Sequence, residues 1–171
     1  MISLSTKILI TGSSGMIGSS IVRTLKALGY KNLLTPKKNE LDLLVIDQIN
    51  EYFLNHSPEV IIIASGKTGG IKFNREFPFE LINDNLMMQN NFFSSINNLK
   101  NLTNLIFLGS SCVYPTNYDS AMSEEMIMMG TPENTNIPYA ISKIAGIISC
   151  KSYNQQYKKN ICSALIPASC Y

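Results

Sequence analysis

The sequence has no tryptophan and a single histidine, His56, and its 14 basic and 12 acidic residues are spread over 171 positions without a block of one sign. A protein that tracks a nucleic-acid backbone or an anionic membrane carries a concentrated basic stripe, so a net charge of +2 points to neither partner. Long apolar runs are missing as well. Val60 to Ala64 and Leu105 to Leu108 are strand-sized, against the ~20 apolar residues that a spanning helix requires. The four cysteines, Cys112, Cys150, Cys162 and Cys170, form no Cys-x-x-Cys pair and have no histidine at metal-ligand spacing, so no metal site is expected. No basic segment with an apolar run opens the chain, and a soluble, reduced, cytoplasmic protein is the expectation.

What is present is the composition of one globular domain spanning residues 1–171, with 45% hydrophobic and 15% charged residues. Lys7 to Thr11 reads as a strand, followed at once by the turn Gly12-Ser-Ser-Gly15-Met-Ile-Gly18 and by Ile17, Ile21, Leu25 and Leu28 at helical spacing. The order repeats with a weak strand near Asn32 to Leu34, a helix over 44–55 and a strongly apolar strand over 60–64. A helix over 80–98 places Ile82, Leu86, Phe93 and Ile96 on one face with Gln89 as a break, and a strand over 104–108 follows. Residues 109–137 lack periodicity over a length that usually serves function. Pro138 opens a helix reaching Tyr157, and a fifth strand covers 163–167. Alternating strands and helices predict an α/β fold, a Rossmann-like doubly wound parallel sheet.

Three glycines between a strand and a helix let backbone approach a pyrophosphate and aim helix N–H groups at it. A glycine triplet also serves as a plain tight turn, but its place after the first strand and before an amphipathic helix favours a dinucleotide. NAD-preferring domains hold the ribose 2′-hydroxyl with a carboxylate after the second strand. Here Thr35-Pro-Lys-Lys-Asn39 offers none before Glu40, and Lys37 or Lys38 can meet a 2′-phosphate, so the expected cofactor is NADP(H).

Tyr139 and Lys143 stand four apart, on one helix face, where an ammonium beside a phenol lowers the phenol's pKa and suits it to proton transfer. Ser110, just after the fourth strand, supplies a third hydrogen-bonding group. Each element alone has a bland reading, since Tyr-x-x-x-Lys is common in helices and a serine can simply end a strand. The combination at these topological positions, with Gly12, Ser65, Ser110 and Pro167 all following strand ends, is the signature of a site at the carboxyl edge of the sheet.

The segments Gly109-Ser-Ser-Cys-Val-Tyr-Pro115, Asn136-Ile-Pro-Tyr-Ala-Ile-Ser-Lys-Ile-Ala-Gly146, Ser152-Tyr-Asn-Gln-Gln-Tyr157 and Lys67-Thr-Gly-Gly-Ile71 resemble the GDP-L-fucose synthases, a branch of the extended short-chain dehydrogenase/reductases. The similarity spans essentially the whole chain but only the N-terminal part of such an enzyme, with the C-terminal substrate domain missing. It implies Ser110, Tyr139 and Lys143 as a catalytic triad and Cys112 as the group that exchanges protons beside a 4-keto carbon. A thiol near its usual pKa of about 8.5 is suited to that task. It further implies cofactor contacts from Gly12, Ser13, Ser14, Gly15, Met16, Ile17 and Gly18, from Lys38, Asp42 and Leu43, from Leu108, Gly109, Ser111 and Lys143, and from Pro167 and Cys170.

The expected activity is conversion of GDP-4-keto-6-deoxy-D-mannose to GDP-L-fucose with NADPH, with a GDP-sugar as partner and a homodimer formed through the helices at 80–98 and 138–157. Ser14 and Lys38 stand where those enzymes commonly carry arginines, Pro167-Ala-Ser-Cys170 departs from their Pro-Thr-Asn-Leu, and their catalytic histidine has no counterpart, His56 reading as a surface residue. Two alternatives follow: another NAD(P)-dependent sugar-nucleotide epimerase or dehydratase, and a non-catalytic cofactor-binding remnant. Dehydratases carry an acidic residue near the position of Cys112, and Gly109 to Pro115 contains none. A sheet lacking later strands is also expected to self-associate.

Overall fold

The computed structural model describes residues 2–117 and 122–166. Five parallel strands, β1 (Ile8–Thr11), β2 (Leu33–Leu34), β3 (Val60–Ile63), β4 (Asn104–Leu108) and β5 (Cys162–Leu165), lie in the order β2-β1-β3-β4-β5. Ile10 is in register with Ile62, Ile62 with Ile106, and Phe107 with Ala164. β1 and β3 are buried at every position because helices cover both faces, which accounts for their unbroken β-branched and aliphatic sequence. β2, half-buried at the edge, is correspondingly short and weakly coded.

Alternate strand residues feed two cores. Leu9, Ile61, Ile63, Leu105 and Phe107 meet the helices α2 (Ile46–His56), α4 (Pro78–Ser95) and α5 (Ile137–Tyr157), with Phe53 and Phe92 edge to face at 5.3 Å between ring centres. Ile8, Ile10, Val60 and Ile62 meet Ile21, Val22 and Leu25 of α1 (Met16–Ala27) on the opposite face. Each fully buried side chain such as Phe92 contributes about 1.5–3 kcal/mol by leaving water. The chain leaves β1 towards β2 on one side and resumes with β3 on the other, so a crevice opens beyond the carboxyl ends of β1 and β3.

Two helix faces differ from the periodicity reading. In α1, Ile17 is exposed because Gly18 takes the inward position and presses the first turn onto the glycine loop, and Leu28 is exposed just past the end of the helix at Ala27. In α4 the buried side runs through Leu81, Asn85, Gln89 and Phe92, one residue away from Ile82, Leu86 and Phe93, which are half-buried. Asn85 and Gln89 occupy the middle of the core-facing line there, between Leu81 and Phe92, and Ile82, Leu86 and Phe93 sit beside it. A six-residue helix, α3 (Ile71–Glu76), carries no periodic signal that the sequence could have offered. Ser111–Val113, Glu124–Met126 and Asn134–Asn136 form short 3-10 turns inside the long segment that precedes α5.

Candidate functional site

The glycine loop turns at Gly12, whose φ of +67° lies in the left-handed region. A Cβ built there would stand 2.7 Å from the Ser65 amide nitrogen and 2.8 Å from the Ala64 carbonyl, so β1 and β3 approach each other more closely than a side chain permits. A Cβ at Gly18 would land on the Gly12 carbonyl, so α1 begins directly against the loop. Gly15 caps α1 through backbone alone, and its N–H bonds the Gly12 carbonyl at 3.0 Å. The helix therefore points free backbone donors over the loop, the arrangement that receives a pyrophosphate.

Above this loop lies a cavity of about 440 Å³, a size that suits a ligand cleft. Thr11, Gly12, Ser14 and Gly15 form its floor, Pro36, Lys38, Leu41, Asp42, Leu43 and Leu44 one wall, and Ala64 to Lys67 with Asp84 and Met88 the other. Of the sequence-derived cofactor residues, Gly12, Ser14, Gly15, Lys38, Asp42 and Leu43 line it. Met16 and Ile17 are exposed on the first turn of α1, and Gly109 is engaged through its N–H with the Leu165 carbonyl at 2.7 Å. Pro167 and Cys170 lie outside the described residues. Lys38 is a solvated side chain 3.8 Å from Asp42, free to reach a phosphate at the cavity mouth. The residues present fit a dinucleotide: a glycine cradle, a helix N-terminus, an apolar wall of leucines and lysines at the rim.

Reading the sequence did not single out the wall formed by Ala64 to Lys67, Asp84 and Met88 as cofactor-contacting. Ser65 follows the end of β3, the one available signal, and its hydroxyl pairs with Thr11 at 2.8 Å. Asn85 fixes this wall from α4, accepting from the Lys67 N–H and donating to the Lys67 carbonyl, both at 2.9 Å. The Lys67 ammonium bonds Asp84 at 2.7 Å and Glu80 at 3.2 Å, which raises its own pKa and holds the Asp84 carboxyl below its usual range. Lys38 lowers Asp84 further, so charge is balanced across the cavity.

At the inner end of that wall a Cβ built on Gly66 would lie 3.5 Å from the Lys143 ammonium nitrogen. Ser110, Cys112, Tyr139 and Lys143 converge there, Ser110 and Cys112 from the turn after β4 and the other two from α5. Ser110 Oγ accepts from the Cys112 N–H at 3.4 Å, and hydrogen bonds from Ser110 oppose the upward shifts of both the Cys112 thiol and the Tyr139 phenol.

The electrostatics correct the expectation of an activated phenol. Burial, with a contribution from Cys112, pushes Tyr139 up to about 12. Lys143 does not offset this, because its ammonium, which donates to the Leu108 carbonyl at 2.9 Å and stands 5.7 Å from the Tyr139 ring centre, has a pKa of about 8 and loses its charge before a phenol near 12 ionises. Burial brings Lys143 down to about 8, against the opposing influence of Cys112. The Cys112 thiol is likewise raised by burial, with Ser110 and Lys143 working the other way, so it lies above the ordinary range that made it attractive as a base. His56 is remote from this group: it stacks on Tyr52 at 4.0 Å, with its Nδ1 3.0 Å from the Tyr52 carbonyl, in a groove beside β2 and α2.

The NAD dependent epimerase/dehydratase family matches residues 8–171 of the chain. A GDP-L-fucose synthase from Escherichia coli (strain K12) is 37% identical over 165 residues, which are 96% of this chain and 51% of that protein. Among solved structures, DdhaC superposes with a TM-score of 0.95 at 39% identity, over 100% of this chain and 49% of its own. A GDP-D-glycero-L-gluco-heptose synthase from Campylobacter jejuni, determined in the presence of NADPH, superposes at 0.90 with 31% identity, over 97% of this chain and 48% of its own. The chain spans about half the length of these relatives.

Proposed function

The chain belongs to the NAD dependent epimerase/dehydratase family, and from that premise we propose that it carries the cofactor-binding and proton-transfer part of an NADPH-dependent GDP-sugar epimerase/reductase. The observation that carries the reading is the convergence of Ser110, Cys112, Tyr139 and Lys143 at the inner wall of the glycine-loop cavity. The finer reading, GDP-4-keto-6-deoxy-D-mannose to GDP-L-fucose, is supported by the motifs around these four residues and by the 37% identity to the Escherichia coli GDP-L-fucose synthase.

Gly12, Gly15 and Gly18 would hold the pyrophosphate of NADPH and Lys38 would meet its 2′-phosphate, and the bound cofactor would supply the hydride that reduces the 4-keto carbon. Tyr139 is the proton donor to the ketone oxygen. A phenol near 12 is fully protonated at neutral pH, which suits an acid in the reducing direction better than the phenolate that spacing alone suggested. The Ser110 hydroxyl holds the same oxygen, and the Lys143 ammonium, anchored on Leu108, places positive charge where the alkoxide develops. Cys112, on the turn beside Ser110, takes a proton from the carbon next to the ketone, drawing on Ser110 and Lys143 to reach its thiolate, and a solvent proton returned to the opposite face of the enolate completes the epimerisation. A homodimer through α4 and α5 is part of the proposal: Ile141 and Ile148, two turns apart on α5, and Met87 on α4 are exposed apolar side chains.

Titration with NADPH and NADH, followed by GDP-4-keto-6-deoxymannose with nicotinamide absorbance as readout, tests the proposal. Preferential NADPH binding with turnover is the expected result, and no binding of either nucleotide overturns it. A second reading, reduction without epimerisation, is favoured by the upward shift of Cys112 and by the distance of the chain's single histidine from it. Incubating the keto sugar in D2O without NADPH separates the two, since epimerisation carries deuterium onto the carbons beside the ketone.

A further inference from the structure

We propose that Phe107 is a positioning residue for Lys143, its buried ring face carrying the ammonium, and that Gly146 is the notch in α5 that lets the ring stand there. The inference rests on the reading of Lys143 as part of the proton-transfer group. Phe107 is wholly buried on β4, and the Lys143 nitrogen lies 4.9 Å from the centre of its ring, within range of the negative π face. The ammonium has three donors and one hydrogen-bonded carbonyl, Leu108 O. The aromatic face offers the remaining charge a partner where no carboxylate among the described residues pairs with it.

Gly146 makes the arrangement possible. Lys143 and Gly146 are three residues apart, on one face of α5. A Cβ at Gly146 would land among the Cζ, Cε1 and Cε2 atoms of the Phe107 ring. Glycine is unfavourable inside a helix of 21 residues, and here the far end of the ring occupies the space its missing side chain leaves. One ring thus touches α5 at the helix backbone and at the ammonium, and strand and helix are locked in the register that sets Lys143 beside Gly66.

The titratable side chains facing the ammonium are Cys112, from the turn after β4, and Tyr139, on α5 itself. α4 presents the neutral amide of Asn85 across Gly66. Cys112 favours the charged lysine, so the test is run also in a Cys112→Ser background to separate thiol from ring.

The experiment is a pH titration of the full chain with 13C-labelled lysine side chains, Lys143 being assigned by Lys143→Arg. Replacing Phe107 by 3,4,5-trifluorophenylalanine keeps the shape and weakens the π face. We expect the Lys143 midpoint, about 8 in the native chain, to fall by about one pH unit, a roughly tenfold change in ionisation. Phe107→Leu is expected to act in the same direction. Gly146→Ala, by displacing the ring, should shift the same resonance while every other lysine stays put. An unchanged midpoint in the fluorinated chain overturns the inference, whatever happens to melting temperature. NADPH binding is measured on the same samples: its absence from the native chain sinks the proposed function and leaves the titration result standing.

Discussion

The Lys143 ammonium donates to the Leu108 carbonyl across 2.9 Å, which ties α5 to the end of β4 where the cavity wall meets Ser110, Cys112 and Tyr139. The bond joins positions 35 apart in sequence and draws the lysine away from the tyrosine four residues earlier. Lys143 therefore acts on the site as a buried positive charge anchored on backbone.

That burial has a stability signature. The folded pKa of Lys143, about 8, lies below its unfolded value of 10.5, so the unfolded chain binds the proton more readily. The contribution of Lys143 to stability is present above pH 10.5 and is lost as pH falls through 8. Denaturant melts of native and Lys143→Met chains should differ by a gap that changes between pH 8 and 10.5, with Lys143→Met gaining relative stability on the acid side. A gap independent of pH over that window would contradict the burial argument.

Tyr139 tests the acid role. Tyr139→Phe is expected to lower kcat by about 10²–10⁴-fold with the Kd for NADPH nearly unchanged. Because its pKa is about 12, this proton donor should not be lost between pH 7 and 10, and any fall in rate near pH 8 should follow the Lys143 ammonium and disappear in a Lys143→Arg chain, whose side chain stays charged. Stopped-flow rates across that range settle it.

Gly12 carries the loop. Gly12→Ala places a Cβ 2.7 Å from the Ser65 nitrogen at φ +67°, and should cost about 2 kcal/mol or more from the left-handed conformation and the clash together. Both the melting temperature and NADPH fluorescence enhancement should fall. Full NADPH binding by a stable Gly12→Ala chain would remove the loop from the site.

Lys38 is the residue proposed to meet the 2′-phosphate. Lys38→Ala should weaken NADPH by about tenfold and leave NADH within a factor of two, since a phosphate hydrogen bond to an ammonium contributes about 1.5–3 kcal/mol when well formed and less at an exposed rim. Equal loss for both nucleotides would point to a general effect on the cavity mouth.

Alkaline pH should unfold the protein through its cysteines. Burial lifts Cys150 to about 12 and Cys162 to about 11, above their unfolded value of 9.0. Their stabilising share is complete below pH 9 and is lost as pH rises through those values. Cys150→Ala should be less stable at pH 7, by about 1–2 kcal/mol from the cavity it leaves, yet flatter between pH 9 and 11.

The parts of the fold visible in the sequence are those in which one local pattern leaves one physical solution. Val60 to Ile63 can only be a doubly covered strand, and Gly12, Gly15 and Gly18 between β1 and α1 can only be a close turn. α3 was invisible because six residues with no apolar period are held by their neighbours. Asn74, for example, reaches Asn136 at the start of α5. α4 misled the eye because Asn85 faces inward to bond the backbone of Lys67, and a helix with an amide on its core line shows its apolar stripe one residue off.

By itself the sequence determined the strand and helix order, the glycine loop and the spacing that puts Tyr139 and Lys143 on one face, because these follow from periodicity and steric limits within a few residues. Only the tertiary structure decided what the groups do there. Which carbonyl receives Lys143, which ring lies under it, how far burial lifts Tyr139 and Cys112, and that the second wall of the cavity comes from Ala64 to Lys67 and Asp84 all depend on segments far apart in the chain. Desolvation is set by the whole surrounding volume, and no local pattern encodes it.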